Sequence, residues 1–151
     1  MANTQAIATS FKTELLSGIH ALGTTVTRGA TTADVVKAAL YLATATVNAT
    51  TTAYSATGEV SGTNYTAGGA TVTNATAPAA TGTTAYWTPS ASISWTTVTL
   101  STSFDCVLLY NSSQANRAIA AFTFGAQTVT AGNFTLTMPT NDSTNALIRL
   151  A

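Results

Sequence analysis

Apolar residues recur every three or four positions near the start of the chain, at Phe11, Leu15, Ile19 and Leu22. Thr9 or Ser10 can cap the beginning of this segment and Gly23 can close its end. The pattern predicts one amphipathic helix within residues 1–23. Its polar face carries few charges, so the helix can pack either on its own domain or on a partner.

After Gly23 the period changes, and apolar and mixed residues alternate through residues 35–43. Alternation predicts a strand here. A short helix is the alternative, because Asp34 is a reasonable helix start and Ala38 and Ala39 are strong helix formers. Local propensity leaves both interpretations open.

Residues 43–86 are rich in Thr, Ala, Gly and Ser and contain few large apolar side chains. We expect short strands joined by turns at Gly58, Gly62, Gly68-Gly69 and Gly82. Tyrosines and valines are spaced through the segment as anchors, which a flexible linker would not need. The segment is therefore expected to be ordered.

From Ile93 onward, β-branched and aromatic residues predict strands at 93–100, 104–110, 118–124, 127–130, 134–138 and 147–150. Turn residues separate these segments at 111–113, at Gly125, at 131–133 and at 141–143. The regular spacing is typical of short antiparallel strands in a sandwich or jelly roll. We predict a mainly β single domain over 1–151, with a helical segment at 1–23 and an antiparallel β-sandwich at 35–151.

Charge is scarce along the whole chain. Only 7% of the 151 residues are charged, five basic and five acidic, where soluble domains average about 25%. Charge depletion is characteristic of the buried cores of interfaces. Net charge near zero also leaves a free monomer poorly protected against self-association, which favours a protein that works in an assembly.

The chain offers little material for catalysis. Its five carboxylates and its single histidine, His20, show no local pairing, and no His, Cys and carboxylate cluster has metal-ligand spacing. We predict no enzyme, no catalytic residues, no metal and no cofactor.

The lone Cys106 rules out an internal disulfide framework. The five basic residues are scattered, which argues against nucleic acid as a partner, and no segment predicts a signal peptide or a membrane span.

Four aromatic residues could instead form a platform on which a sugar stacks: Tyr65, Tyr86, Trp87 and Trp95. A β-sandwich readily places such residues on one face. Aromatic residues are also enriched in protein interfaces and in cores, and we favour that interpretation.

Several phrases of the sequence are similar to one known group of proteins. They are KAALY at 37–41, EVSGTNYTAGG at 59–69, VLLYN at 107–111 leading to FG at 124–125, then TVTAGNF at 128–134 and IRL at 148–150. In this order they resemble small head decoration, or cement, proteins of tailed bacteriophages, which have a jelly-roll-like fold. The resemblance covers most of the chain from about Lys37 and does not include the predicted helix.

The resemblance implies a structural virion protein on the capsid surface, assembled in the host cytoplasm, which stabilises the shell by non-covalent contacts across subunit joints. Its partners would be the major capsid protein and further copies of itself, in a homo-oligomer. Candidate contact residues are Tyr65, Tyr86 and Trp87, together with Phe11 and Leu15, which could be either contact or core. The alternative is a tail-associated or fibre module that binds a host surface glycan.

Overall fold

A computed structural model describes residues 3–8, 10–11, 15, 19–20, 22, 32–73 and 76–150. Within them the chain forms these strands: β1 (Ala6–Ile7), β2 (Val36–Leu42), β3 (Ala70–Thr71), β4 (Ala79–Thr81), β5 (Thr84–Trp87), β6 (Ile93–Asn111), β7 (Arg117–Leu136) and β8 (Ile148–Leu150). Almost none of the described backbone is helical. The prediction of a mainly β fold is confirmed.

The strands form two antiparallel sheets. The larger sheet has the order β1-β7-β6-β2-β3, and the smaller has the order β4-β5-β8. β6 and β7 follow each other through a turn after Asn111 and pair from Asn111↔Arg117 out to Ile93↔Leu136. This long hairpin carries the rest of the larger sheet at its inner end, where β2 pairs with β6 between Val36↔Asn111 and Leu42↔Phe104.

The hairpin differs from the prediction of short separate strands. β6 has 19 residues and β7 has 20, so the turns predicted at Gly125 and at 131–133 lie inside β7. The pairing tolerates these turn-forming residues because its register shifts at several points along the hairpin. Thr97 and Ala131 have left-handed backbone with φ of 54° and 46°, which is typical of bulges that absorb extra residues without ending a strand.

Residues 36–42 form a strand, which settles the choice that local propensity left open. β2 lies between β6 and β3, and nearly all of its side chains are buried. A strand enclosed on both sides needs no polar alternation, and its alanines allow close approach of the neighbouring layers. Tertiary pairing therefore overrides the helix propensity of Ala38 and Ala39.

One buried cluster joins the inner hairpin, β2 and the smaller sheet. Leu40, Leu108 and Ile119 are almost fully buried in it, and Trp87 of β5 and Ile148 of β8 belong to the same cluster. The smaller sheet is thus packed on the common core through its own apolar side chains, whose burial is the main favourable contribution to folding.

The N-terminal helix is not seen as predicted: among the described residues Ser10, Phe11 and Leu15 have helical backbone, but they are not continuous with one another as a helix. Of positions 9–22 the structure describes Ser10, Phe11, Leu15, Ile19, His20 and Leu22, and the others lie outside the described residues. Ahead of them β1 pairs with β7 at Ala6↔Ala121 and Ile7↔Ala120. The beginning of the chain therefore contributes an edge strand, which the helical spacing did not predict.

Candidate interaction surface

The outer part of the long hairpin carries no formal charge. We call residues 93–104 of β6 and 124–136 of β7 the hairpin arm. They lie within residues 60–104 and 118–141, which contain no Asp, Glu, Lys or Arg. Nothing on the arm can therefore form an ion pair with a partner through its own side chains.

The exposed side chains of the arm are mainly neutral hydroxyls and amides. On β6 they are Ser94, Thr96, Thr97, Ser101, Thr102 and Ser103, and on β7 they include Gln127, Thr128, Thr130, Asn133 and Thr135. Hydroxyls can donate and accept hydrogen bonds. Some pair within the arm, as Ser94 and Thr135 do with 2.9 Å between their hydroxyl oxygens. The surface suits hydrogen-bonded contact with an uncharged partner.

Aromatic rings brace the arm from within. Phe134 lies 5.9 Å from Trp95, 5.0 Å from Phe104 and 5.3 Å from Phe124 between ring centroids. Such edge-on and tilted packing contributes about 0.5–1.5 kcal/mol per pair beyond the burial of area. Trp95 and Phe104 are buried, and Phe124 and Phe134 are half-buried. The arm is therefore a packed extension of the core.

An apolar groove lies beside the arm. Its volume is about 140 Å³, and its lining includes Phe122, Phe124, Leu136, Met138 and Leu147. These side chains pack against the buried cluster but keep part of their surface open to solvent. The groove thus adds apolar surface next to the neutral arm.

Tyr65, a predicted contact residue, is held by a carboxylate. Its hydroxyl donates to Glu59 Oε1 at 2.8 Å and accepts the backbone N–H of Leu40 at 3.0 Å. Glu59 also accepts the hydroxyl of Tyr54 at 2.6 Å and the N–H of Gly68 at 2.8 Å. We call this arrangement the Glu59 clasp. It fastens the loop at 59–69 to β2.

The clasp also affects neighbouring phenols. Burial, followed by the hydrogen bond to Glu59, raises the pKa of Tyr54 well above its usual value, and burial is likewise the largest cause of the raised pKa of Tyr65. Burial raises the pKa of Tyr41 to about 12, and the charge of Glu59 adds to that effect. Burial and Glu59 raise the pKa of Tyr110, whose ring stacks on Tyr54 at 4.7 Å between centroids. These phenols stay neutral at ordinary pH and act as hydrogen-bond donors.

Two glycines let the same loop lie flat against its neighbours. A Cβ on Gly62 would lie 1.9 Å from the carbonyl oxygen of Thr99, and one on Gly69 would lie 1.8 Å from that of Ala38. Neither distance is physically possible without moving backbone. The phrase at 59–69 is thus explained by local structure: a carboxylate with three hydrogen bonds and close backbone approach at both glycines.

The other predicted contact residues differ in how far they can be reached. Phe11 is 0% exposed and Trp87 is 2% exposed, and the indole N–H of Trp87 donates to the carbonyl of Thr76 at 3.0 Å. Both side chains lie in the buried core, so neither is exposed for contact with a partner. Leu15 and Tyr86 are half-buried. Phe11 and Trp87 belong to the buried cluster, and Leu15 and Tyr65 pack against it.

A buried polar network ties the N-terminal segment to the hairpin turn. The side-chain amide of Asn111, which is 0% exposed, donates to Asp34 Oδ2 at 2.7 Å and lies 3.1 Å from His20 Nδ1. Gln114 donates to Asp34 Oδ1 at 3.1 Å. The ring of His20 packs edge-on against Phe11 at 4.7 Å between centroids. His20 therefore has a structural role in holding this segment.

The described residues include no group of three or more His, Cys, Asp or Glu placed to hold a metal ion. In the same part of the chain no helix is long and apolar enough to cross a membrane.

Cys106 is buried. Burial, followed by the charge of Asp105, raises the pKa of its thiol to about 12, so the thiol is protonated and unreactive.

The arm itself was missed as a candidate contact, although the sequence held a signal for it. That signal is a long run without charged residues from position 60 to position 141, which only Asp105 and Arg117 interrupt. Both interruptions lie at the inner part of the hairpin, away from the arm.

Searches with the chain found no matching family model, no matching curated protein and no matching solved structure.

Proposed function

We propose that this protein is a capsid decoration protein that binds the outside of a tailed-phage head as a small homo-oligomer and stabilises the shell across subunit joints. The proposal includes a jelly-roll-like arrangement of the two sheets around their shared core. Its partners are the major capsid protein and further copies of the chain, and it works by contact alone.

The observation that carries the proposal is the uncharged hairpin arm, which is packed from within by aromatic rings. A neutral Thr- and Ser-rich surface forms hydrogen bonds and apolar contacts that are individually modest. On a closed lattice many copies engage at once, so modest contacts add up to stable attachment. Binding to the assembled shell also stabilises that state by mass action. The resemblance of phrases along the chain points to the same function.

The glycan-binding alternative loses its main residues. Trp87 and Trp95 are 2% and 6% exposed, so neither offers a ring face on which a sugar could stack. Tyr65 is engaged by the Glu59 clasp. Tyr86 alone does not make the multi-ring platform that the alternative required.

The proposal is tested by adding the purified protein to expanded heads that lack it and measuring bound copies after sedimentation. Because the arm has no charges, the dissociation constant should change less than about threefold between low and moderate salt. Thr102→Lys, on the exposed face of β6, should reduce binding because it places an unpaired charge in the contact. Ala80→Lys, on exposed β4, is the matched control. A steep loss of binding with salt would contradict the proposal.

A further inference from the structure

A cleft lies where the two sheets meet. Its volume is about 600 Å³, within the range of roughly 300–1,000 Å³ that is usual for ligand sites. Ile7 of β1 lines it from the larger sheet, and Thr84 of β5 and Arg149 of β8 line it from the smaller. The loop before β8 adds Ser143 to the lining. The proposed function makes no use of this space.

The cleft contains one positive charge. Arg149 is the only charged side chain in its described lining, and no hydrogen bond or ion pair engages the guanidinium within the described part of the chain. The nearest acid along the chain is Asp142, which is held in its own loop. Its carboxylate accepts the hydroxyl of Thr140 at 2.7 Å and the N–H of Thr144 at 2.8 Å. The guanidinium therefore remains available to an anion.

Neutral hydrogen-bonding groups share the cleft with Arg149. The side chains of Gln5, Thr84 and Ser143 lie in the same lining, and none of them hydrogen-bonds to another described residue. Hydroxyl and amide groups donate to carboxylate oxygens, and a guanidinium can donate two parallel hydrogen bonds to one carboxylate. The cleft thus offers several uncommitted donors around a single cation.

The charge of the cleft favours a carboxylate over a phosphate. A phosphate monoester carries about −1.5 to −2 charges at neutral pH, so a single guanidinium would leave part of that charge uncompensated. A carboxylate carries one negative charge, which Arg149 balances, and its two oxygens match the fork of the guanidinium. No second cation lies in the described lining. We therefore expect a monocarboxylate.

The cleft borders the apolar groove beside the arm. Phe122 and Leu147 line both spaces, and beyond them the described lining of the groove is uncharged and includes Phe124 and Met138. Apolar surface next to a few polar groups is typical of sites that bind small amphipathic molecules. A ligand that fills both spaces needs a carboxylate at one end and an apolar chain at the other.

We infer that the cleft binds an amphipathic monocarboxylate, with its carboxylate at Arg149 and its apolar chain passing over Phe122 and Leu147 into the groove. Two sources share this chemistry: a free aliphatic carboxylate, and an acidic side chain beside an apolar one in a segment of a partner protein. The inference goes beyond the proposed function and does not depend on it.

The test titrates the isotope-labelled full chain with octanoate and follows binding by NMR. Octanamide, which has the same chain and no charge, should bind at least about tenfold more weakly. Butyrate should also bind more weakly, by about fourfold for each buried methylene that it lacks. Inorganic phosphate should bind more weakly than octanoate, because it has no apolar chain and too much charge.

Variants of the cleft locate the binding. Arg149→Gln should raise the dissociation constant of octanoate at least about tenfold, since it removes the charge and the paired donors. Arg149→Lys should restore part of the affinity, because it keeps a point charge without the fork. Lys37→Gln on β2 is the matched control: it removes the same charge from a residue that does not line the cleft, and octanoate binding should be unchanged.

Three results would overturn the inference: octanoate and octanamide that bind equally, phosphate that binds as tightly as octanoate, or an Arg149→Gln variant that binds octanoate as the wild type does. If that variant loses its folded β signal, Thr84→Asp replaces it, since a second carboxylate in the cleft should repel the ligand.

Competition on phage heads identifies the source of the carboxylate. Saturating octanoate should displace the protein from heads if the segment of a partner occupies the cleft, and should leave attachment unchanged if the ligand is a free carboxylate. Octanoate binding is measured without heads. A protein that binds octanoate as described and never binds heads would therefore refute the proposed function alone.

Discussion

Removing the Glu59 carboxylate should destabilise the fold measurably. In Glu59→Ala the hydroxyls of Tyr54 and Tyr65 and the N–H of Gly68 lose their acceptor. A hydrogen bond to a charged group contributes about 1.5–3 kcal/mol. Glu59 is half-buried, so water can hydrogen-bond to some of the groups that lose their acceptor. We therefore use a loss of about 1 kcal/mol for each hydrogen bond removed. The expected loss is roughly 2–4 kcal/mol.

Thermal unfolding followed by far-UV circular dichroism measures this loss. For a chain of this size about 1 kcal/mol lowers the melting temperature by about 2–4 °C, so Glu59→Ala should melt roughly 4–16 °C lower than the wild type. Urea unfolding should give the same free-energy difference with an unchanged slope.

Two phenylalanine variants separate the clasp from a general effect of removing a hydroxyl. Tyr54→Phe removes one bond to Glu59 and should lose about 1 kcal/mol. Tyr86→Phe is the matched control, because its hydroxyl lies 3.3 Å from the exposed Thr81 and contributes little. In a double-mutant cycle, Tyr54→Phe should cost nothing further once Glu59 is alanine. Melting of Glu59→Ala within about 1 °C of the wild type would refute this reasoning.

Three further perturbations test the packing and the ionisation of the fold. Gly62→Ala should destabilise by about 3 kcal/mol or more in urea unfolding, because its Cβ would lie 1.9 Å from the Thr99 carbonyl; a neutral effect would contradict the close approach. Trp87→Ala should lose about 3–5 kcal/mol as a core truncation, and a stable variant that fails only in head binding would return Trp87 to the contact surface. Tyr41 has its pKa raised from 10.0 to about 12 by burial, so its neutral form is favoured in the folded state. The resulting contribution to the free energy of unfolding, at most about 2.7 kcal/mol, is fully present below about pH 10 and is lost as the pH rises toward 12. Urea midpoints should fall over this interval and fall less in Tyr41→Phe; equal falls would contradict it.

The sequence predicted the β elements better than their connections. β2 was predicted at nearly its observed bounds as one of two options, and the turn at 111–113 and the glycine turns at Gly58, Gly68 and Gly82 are confirmed. The predictions of turns at Gly125 and at 131–133 were wrong, because both positions lie inside β7. Glycine and asparagine mark both turns and bulges, and only the pairing with β6 decides between them.

The candidate site was harder to predict, since it depends on what the fold leaves exposed. Trp87 is an attractive contact residue by type, yet its position at the end of β5 places it in the common core. The Glu59 clasp joins Tyr54 and Tyr65 through a loop whose shape no local pattern gives. The neutral run through the arm was visible in the sequence, but its meaning required knowing that it forms an exposed hairpin.

The central claim is tested most directly by measuring the abundance of this chain in gradient-purified virions relative to the major shell protein, by quantitative peptide mass spectrometry. A decoration protein on a lattice should be present in numbers comparable to the shell protein. A few copies per particle would contradict decoration and move the protein to the tail. Absence from purified virions would contradict a virion role altogether.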